Sequence, residues 1–200
     1  MNKSLILLIS VFATSAVATA TPGISLESVK SGTYRIESAH TQVGFSVSHF
    51  GFTNYSGLFA GASGSLRLDP AHPAVIKLDV SVPVDSIVTT IPKLTELLKG
   101  DKWFDATKFP QAVFSSTNVS FNTDGDIMIT GNLTMHGLTN PVTLHAHLVG
   151  AGVNPLDKMY TVGFEARGTL KRTDFGISLF APALGDEVEL TIAGAFELER

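Results

Sequence analysis

Apolar and polar residues alternate with a period of two along most of the chain. In 42–50 (QVGFSVSHF), Val43, Phe45, Val47 and His49 share one face, and in 75–82 Ile76, Leu78, Val80 and Val82 oppose Lys77, Asp79 and Ser81. The pattern recurs at 126–135 (Ile127, Ile129, Leu133, Met135) and at 141–149 (Val142, Leu144, Ala146, Leu148). It recurs again at 159–171 (Tyr160, Val162, Phe164, Ala166, Leu170) and at 187–198 (Val188, Leu190, Ile192, Phe196, Leu198). Further runs lie at 33–38, 57–68 and 112–121, so about eight or nine strands are predicted. Alternation of this kind marks half-buried strands. One apolar and one polar face per strand suits antiparallel strands around a single interior. Turn signals separate the runs at Asp69-Pro70, Asp124-Gly125, Gly137–Pro141, Gly150–Pro155 and Gly185-Asp186. Long strands without a break into two halves predict an all-β, closed antiparallel barrel, in which no strand edge stays unpaired.

One stretch departs from this period. In 89–104 (TTIPKLTELLKGDKWF), Ile91, Leu94 and Leu97/Leu98 recur at helical spacing. Thr89 or Thr90 is the expected cap, Pro92 suits the first turn, and Gly100 suits the end. The next stretch, GDKWFDATKFPQAVF (100–114), holds the only tryptophan beside Phe104 and Phe109, among charges. Such a segment fits a short helix laid over one end of the barrel, with aromatics facing in and charges facing water.

The first residues read differently. Asn2-Lys3-Ser4 is a basic start, Leu5–Val17 is mostly apolar, and Ala18-Thr19-Ala20 has the small-x-small pattern of a secretory cleavage site. The expectation is a signal peptide at 1–20, an exported periplasmic protein, and a single binding domain at 21–200, with 21–30 a loose leader. The apolar run is short and rich in Ser and Thr for a bilayer span. No cysteine is present, so neither disulfides nor lipid attachment at a cysteine is available. The net charge of −4 offers no basic patch for nucleic acid, and anionic membrane surfaces are not favoured. Stable membrane insertion is not expected, and a homodimer is compatible with the pattern.

Catalytic signatures are weak. There is no Gly-x-Ser-x-Gly and no cysteine nucleophile; Asp174-Phe175-Gly176 reads as a turn with a core aromatic. His145 and His147 share a polar strand face with Thr143 and read as solvated, so no metal site is assigned. His49 lies on the apolar face with Phe45, as a satisfied buried group or a polar group facing a cavity. Aromatic residues are spread over many strands, whereas 57–65 is rich in Gly, Ala and Ser. Small residues leave room, and an eight-stranded barrel can hold one small ligand.

Four motifs in order carry a resemblance: YRIESAHTQVGFSVSHFGF, GDKWFDATKFPQAVFSSTNV, ITGNLTMHGLTNPVTL, and LKRTDFGI followed by VELTI. Across Thr33 to Leu198 the chain resembles the YceI-like family of exported proteins. The resemblance implies an extended eight-stranded antiparallel lipocalin-like barrel with a short helix over part of it. It also implies a hydrophobic tunnel that binds polyisoprenoids, such as quinone or polyprenyl lipids, or related amphiphiles. No catalytic residue and no cofactor beyond such a bound lipid is implied. The expected ligand-binding residues are Phe45, Val47, His49, Phe52, Asn54, Tyr55, Phe59, Trp103, Phe104, Phe114, Phe164 and Phe175, with His49 and Asn54 candidates for a head group. Family helices often carry an Asp and a His where this chain has Thr95 and Leu97. The leading expectation is a carrier or reservoir that sequesters the lipid in its tunnel, retains it in purification and depends weakly on salt. The rivals are an enzyme on such a lipid using His40, His49 or His136 as acid/base, and a packed barrel with a structural or interaction role.

Overall fold

The structure is a computed structural model that describes residues 25–122 and 126–199. The proposed signal peptide and its cleavage site lie outside the described residues. Eleven strand segments form one sheet: β1 (Gly32–Ile36), β2 (Gln42–His49), β3 (Thr53–Phe59), β4 (Ser63–Leu68), β5 (Lys77–Pro83), β6 (Val88–Thr89), β7 (Gln111–Phe121), β8 (Ile127–Met135), β9 (Leu138–Val153), β10 (Tyr160–Lys171) and β11 (Leu184–Leu198). All pairings are antiparallel. The ring β1-β4-β5-β7-β8-β9-β10-β11 closes through β1–β11, with Tyr34 opposite Leu198 and Ile36 opposite Phe196.

The segments reduce to eight strands. β1 and β2 form one interrupted strand, because β11 pairs with β1 through 196–198 and with β2 through 184–193. β3 and β4 likewise continue one another, as do β5 and β6. The interruptions fall at 37–41, 60–62 and 84–87, so three adjacent strands break together. At the first break Thr41 keeps the wall closed: its hydroxyl donates to the carbonyl of Glu37 at 2.8 Å and accepts from the Ala195 N–H at 3.0 Å. At the second, Gly61 has φ +69°, a left-handed conformation that a side chain would disfavour. The barrel is therefore eight-stranded, antiparallel and closed, with one helix, α1 (Pro92–Lys99).

Pro92 does occupy the first turn of α1, and Gly100 follows its last residue. Neither threonine caps it: Ile91 stands at the cap position with no side-chain bond. Thr89 turns its hydroxyl to the Ile91 carbonyl and to Thr95 instead, both at 3.0 Å. Three expected turns are strand, and one of them, Gly185-Asp186, lies within β11 where its pairing with β2 is irregular between Leu184 and Val188. Pro141 lies within β9 opposite Asn132, and only His136-Gly137 make the β8–β9 turn. β10 pairs with β9 only as far as Leu144, so the missing Pro141 N–H costs no ladder bond there. Gly150–Val153 also stay in β9, paired with Tyr160–Gly163, and the chain reverses at 154–159. Residues 25–30 are not a loose leader: they hold a 3-10 turn (Leu26–Ser28), with Val29 buried. Of the expected Asp124-Gly125 turn, 123–125 lie outside the described residues; the flanking Asn122 and Asp126 are hydrogen-bonded.

Candidate functional site

The inward residues do not fill the barrel. A cavity of about 200 Å³ runs inside it, from Leu26, Ile76, Phe121 and Ile127 at one end to Phe59, Phe104 and Met135 at the other. The span from Ile127 to Met135 along β8 is about 26 Å at the strand rise of ~3.3 Å per residue. The lining is hydrocarbon. Its one hydroxyl-bearing residue is Thr41, whose oxygen is committed to the backbone of the wall. Room comes from a girdle of small residues, Ala62, Ala112, Ala146, Ala166 and Gly194, supplied by five strands or strand breaks. Phe114 lies over Gly131, where an added Cβ would fall 2.4 Å from its ring. That glycine lets the ring flatten against the wall.

Each end has an apolar cover. At the first, Leu26 of the 3-10 turn points into the cavity. The segment is tied down by Tyr34, whose hydroxyl donates to the Lys30 carbonyl at 2.5 Å, and by the Lys30 ammonium 4.5 Å from the centre of the Tyr160 ring. Burial, with Tyr160 nearby, pushes the Tyr34 phenol up to about 12. At the other end a second apolar cluster of Ile87, Leu98, Trp103, Ile177 and Leu184 closes the barrel, with Phe45, Phe59, Leu94 and Phe104 against it. Phe104 meets Phe59 edge-on at 5.4 Å.

This second cover bonds mainly to itself. The N–H groups of Phe104, Asp105, Ala106 and Phe109 donate to the carbonyls of Leu98, Gly100, Lys99 and Asp105. Its links outward run to Thr89, through Thr95 and the Ile91 carbonyl, and to Val84 through the Pro110 carbonyl. Among the described residues, 91–110 makes no hydrogen bond to β8, β9, β10, β11 or the loop 172–183. Contact on that side is side-chain packing, as where Phe109 meets His136 at 4.9 Å.

The expected ligand-binding residues separate into three groups. Phe59, Phe104, Phe114 and Phe164 line the cavity. Phe45 and Trp103 belong to the cover above it, and Phe175, in the turn after β10, is buried in the main core cluster with Phe114 without lining the cavity. Val47, His49, Phe52, Asn54 and Tyr55 lie on the β2–β3 hairpin beyond the cavity. His49 is exposed rather than inward, because it ends its strand at the rim, stacked edge-on with Phe50 at 4.7 Å. Asn54 is exposed as well. The Tyr55 hydroxyl lies 3.2 Å from that of Thr90, and hydrogen bonding to Thr89 and Thr90 holds its phenol below the ordinary value. Thr95 is spent on Thr89, and Leu97 is exposed.

The histidines have separate local partners. His40 Nδ1 is 2.6 Å from Glu37, and His136 Nδ1 is 2.9 Å from the Phe175 carbonyl. Burial alone would raise the Glu37 pKa, but bonds from the His40 ring and the N–H groups of Ala39 and His40 outweigh it and hold it below the ordinary value. His145 and His147 face out, with His147 3.6 Å from Glu165. Two contributors escaped the pattern reading. Leu26 sits in a segment without alternation. Arg172 is buried and donates to the carbonyls of Gly185, Ile177, Leu179 and Leu184 at 2.8–3.0 Å, pinning the loop against which Trp103 packs. Burial lowers its pKa, and Asp186 opposes that shift. Its signal was parity: after Leu170 in and Lys171 out, a charge falls at an inward position.

A closed antiparallel barrel around a hydrocarbon tunnel, capped at both ends, defines a class of small apolar-ligand barrels. The profile of the YceI-like domain matches residues 34–196, and the chain belongs to that family. A UPF0312 protein of Yersinia pestis is 38% identical over 157 residues, covering 78% of this chain and 81% of that one. The crystal structure of Burkholderia cenocepacia BcnA shares the fold, with TM-score 0.71 and 22% identity over 80% of this chain and 98% of that one. A polyisoprenoid-binding domain from Saccharophagus degradans shares it with TM-score 0.57 and 13% identity, over 85% of this chain and all of that one.

Proposed function

We propose that this protein is an exported, periplasmic carrier or reservoir that holds the chain of an isoprenoid, of quinone or polyprenyl type, or a similar amphiphilic lipid. The carrying observation is the capped tunnel without a free polar group. Such a wall gains nothing from a polar substrate and favours a hydrocarbon chain by about 0.8 kcal/mol per buried methylene. Binding then rests on burial and shape and responds little to salt. Phe59, Phe104, Phe114 and Phe164 contact the chain, and Trp103 secures the cover above it. The head group stays at the rim near Tyr55 and His49, outside the apolar lining. The family's domain and the likeness to a domain described as polyisoprenoid-binding support this reading. Export rests on the leader-like residues 1–20. No helix of the described residues is long and apolar enough to cross a membrane. Catalysis by His40, His49 or His136 has no assembled site to support it, since each ring has a different neighbour.

The test is native purification from the periplasm, intact mass under non-denaturing conditions, and extraction of bound lipid. A stoichiometric long-chain lipid is the expected result. A bare mass that does not shift when polyprenyl lipids are added overturns the proposal.

A further inference from the structure

We propose that the end of the barrel bearing the α1 cover docks on a lipid bilayer through aromatic tips around that cover, without recruitment by charge. The inference rests on the reading that the cargo is a membrane lipid. Large apolar side chains stand out at this end: on the loops around the cover Phe52 is 86% exposed, Phe180 58%, Ile91 50% and Phe50 42%, with Leu97 of α1 (56%) and Val88 of β6 (52%) exposed beside them. They belong together. His49 packs on Phe50 and is the strand partner of Leu184, whose N–H donates to the Phe180 carbonyl. On the same hairpin Tyr55 reaches Thr90, the neighbour of Ile91.

The backbone makes two of these rings more telling. Phe50 has φ +55° and Phe180 φ +60°, in the left-handed region where Gly or Asn is favoured and a bulky residue is rare. A turn that needed only to reverse the chain would not keep an exposed phenylalanine there. Strain held at an exposed aromatic points to a use for the ring.

Charge narrows the occupant. No Asp, Glu, Lys or Arg occurs between Glu37 and Arg67, between Asp85 and Lys93, or between Asp174 and Asp186. These three stretches supply all four loop tips. The α1 cover itself carries four lysines and three acidic residues between Lys93 and Lys108, nearly balanced in sign, so neither it nor the loops around it offers a net charge for recruitment. A stable protein interface needs at least about 1,000 Å² of complementary surface with a polar rim. Three rings on two uncharged loops, with Ile91 beside them, suit the interfacial layer of a bilayer, which accepts aromatic side chains one at a time. The docked end is also the one whose cover makes no hydrogen bond to β8–β11, so a chain leaving the bilayer meets the tunnel where its wall is held by packing.

The experiment is flotation of the protein with phosphatidylcholine vesicles, paired with uptake of a fluorescent polyprenyl lipid from those vesicles and from detergent. The variants are F52S and F50N/F180N. Asn suits left-handed backbone, so the double variant should keep or raise its melting temperature. Wild type should float, in low and high salt alike. Each variant should lose about tenfold or more in vesicle partition and in uptake from vesicles, while uptake from detergent stays unchanged. Wild type that does not float, variants that float equally, or binding abolished by salt each overturn the docking surface. So does a wild-type dimer that F52S converts to monomer, which would make this face a contact between copies. If the polyprenyl lipid is taken up from neither source, the carrier reading falls, while flotation with empty vesicles still decides the docking surface.

Discussion

Ala166→Phe places a ring at mid-height in the tunnel. Ala166 points inward from β10, flanked by Ala146 on β9 and Ile192 on β11, all three lining the cavity. A phenyl group there occupies the space of roughly five methylenes of a bound chain, at ~0.8 kcal/mol each. The loss is about 4 kcal/mol, close to a thousandfold in Kd. In a cavity of about 200 Å³ the ring needs no displacement of neighbours, so the lipid-free protein should melt at or above the wild-type temperature. A packed interior predicts the reverse: overpacking costs about 1–3 kcal/mol, which for a chain of this size lowers Tm by roughly 2–12 °C. The assay is titration of delipidated protein with a fluorescent polyprenyl lipid, beside thermal melts of the lipid-free forms. Unchanged affinity, or a clear fall in lipid-free Tm, refutes the reasoning that this space is for a ligand.

Trp103→Ala removes the buried aromatic of the α1 cover and should cost about 3–5 kcal/mol. Bound lipid should then leave at least about tenfold faster, because packing alone holds that side of the cover; melts and lipid-exchange rates check both. Arg172→Met leaves the carbonyls of Gly185, Ile177, Leu179 and Leu184 without their donor and should destabilise by at least about 3 kcal/mol, read by denaturant unfolding. The Tyr34 phenol is raised in the fold from 10.0 to about 12, so its contribution is full below its unfolded pKa and is lost as pH climbs toward the folded one. Tyr34→Phe should therefore flatten the fall in Tm above pH 10.0 relative to wild type. The lowered pKa of Glu37 acts on the acid side: its stabilisation is present above the ordinary value of 4.5 and is lost as pH falls through the folded value. Glu37→Gln should weaken that acid dependence in pH-resolved melts.

Local features were legible because they depend on neighbours in sequence. Alternation marked most of the strands and their inward faces, though not β6 or the start of β3. Pro92 and Gly100 bracketed the helix, since a first-turn proline and a terminal glycine follow from backbone chemistry alone. The small residues near Ala62 signalled spare volume. The family's ordered motifs pointed to the barrel and its apolar tunnel. Convergence was not legible. Phe59, Phe104, Phe114 and Phe164 meet around one cavity, while Phe45 and Trp103 pack in the cover and Phe175 in the core outside the lining, and the same period of two describes several of them. Position in the barrel depends on register between distant strands, as where Tyr34 meets Leu198. His49 continued an apolar face in the pattern but reached the rim because its strand ends there. Leu26 and Arg172 found their places through contacts with elements far along the chain or in a folded-back loop. Period and capping belong to the chain itself; which faces share a cavity, and where it is closed, arise only when the barrel closes.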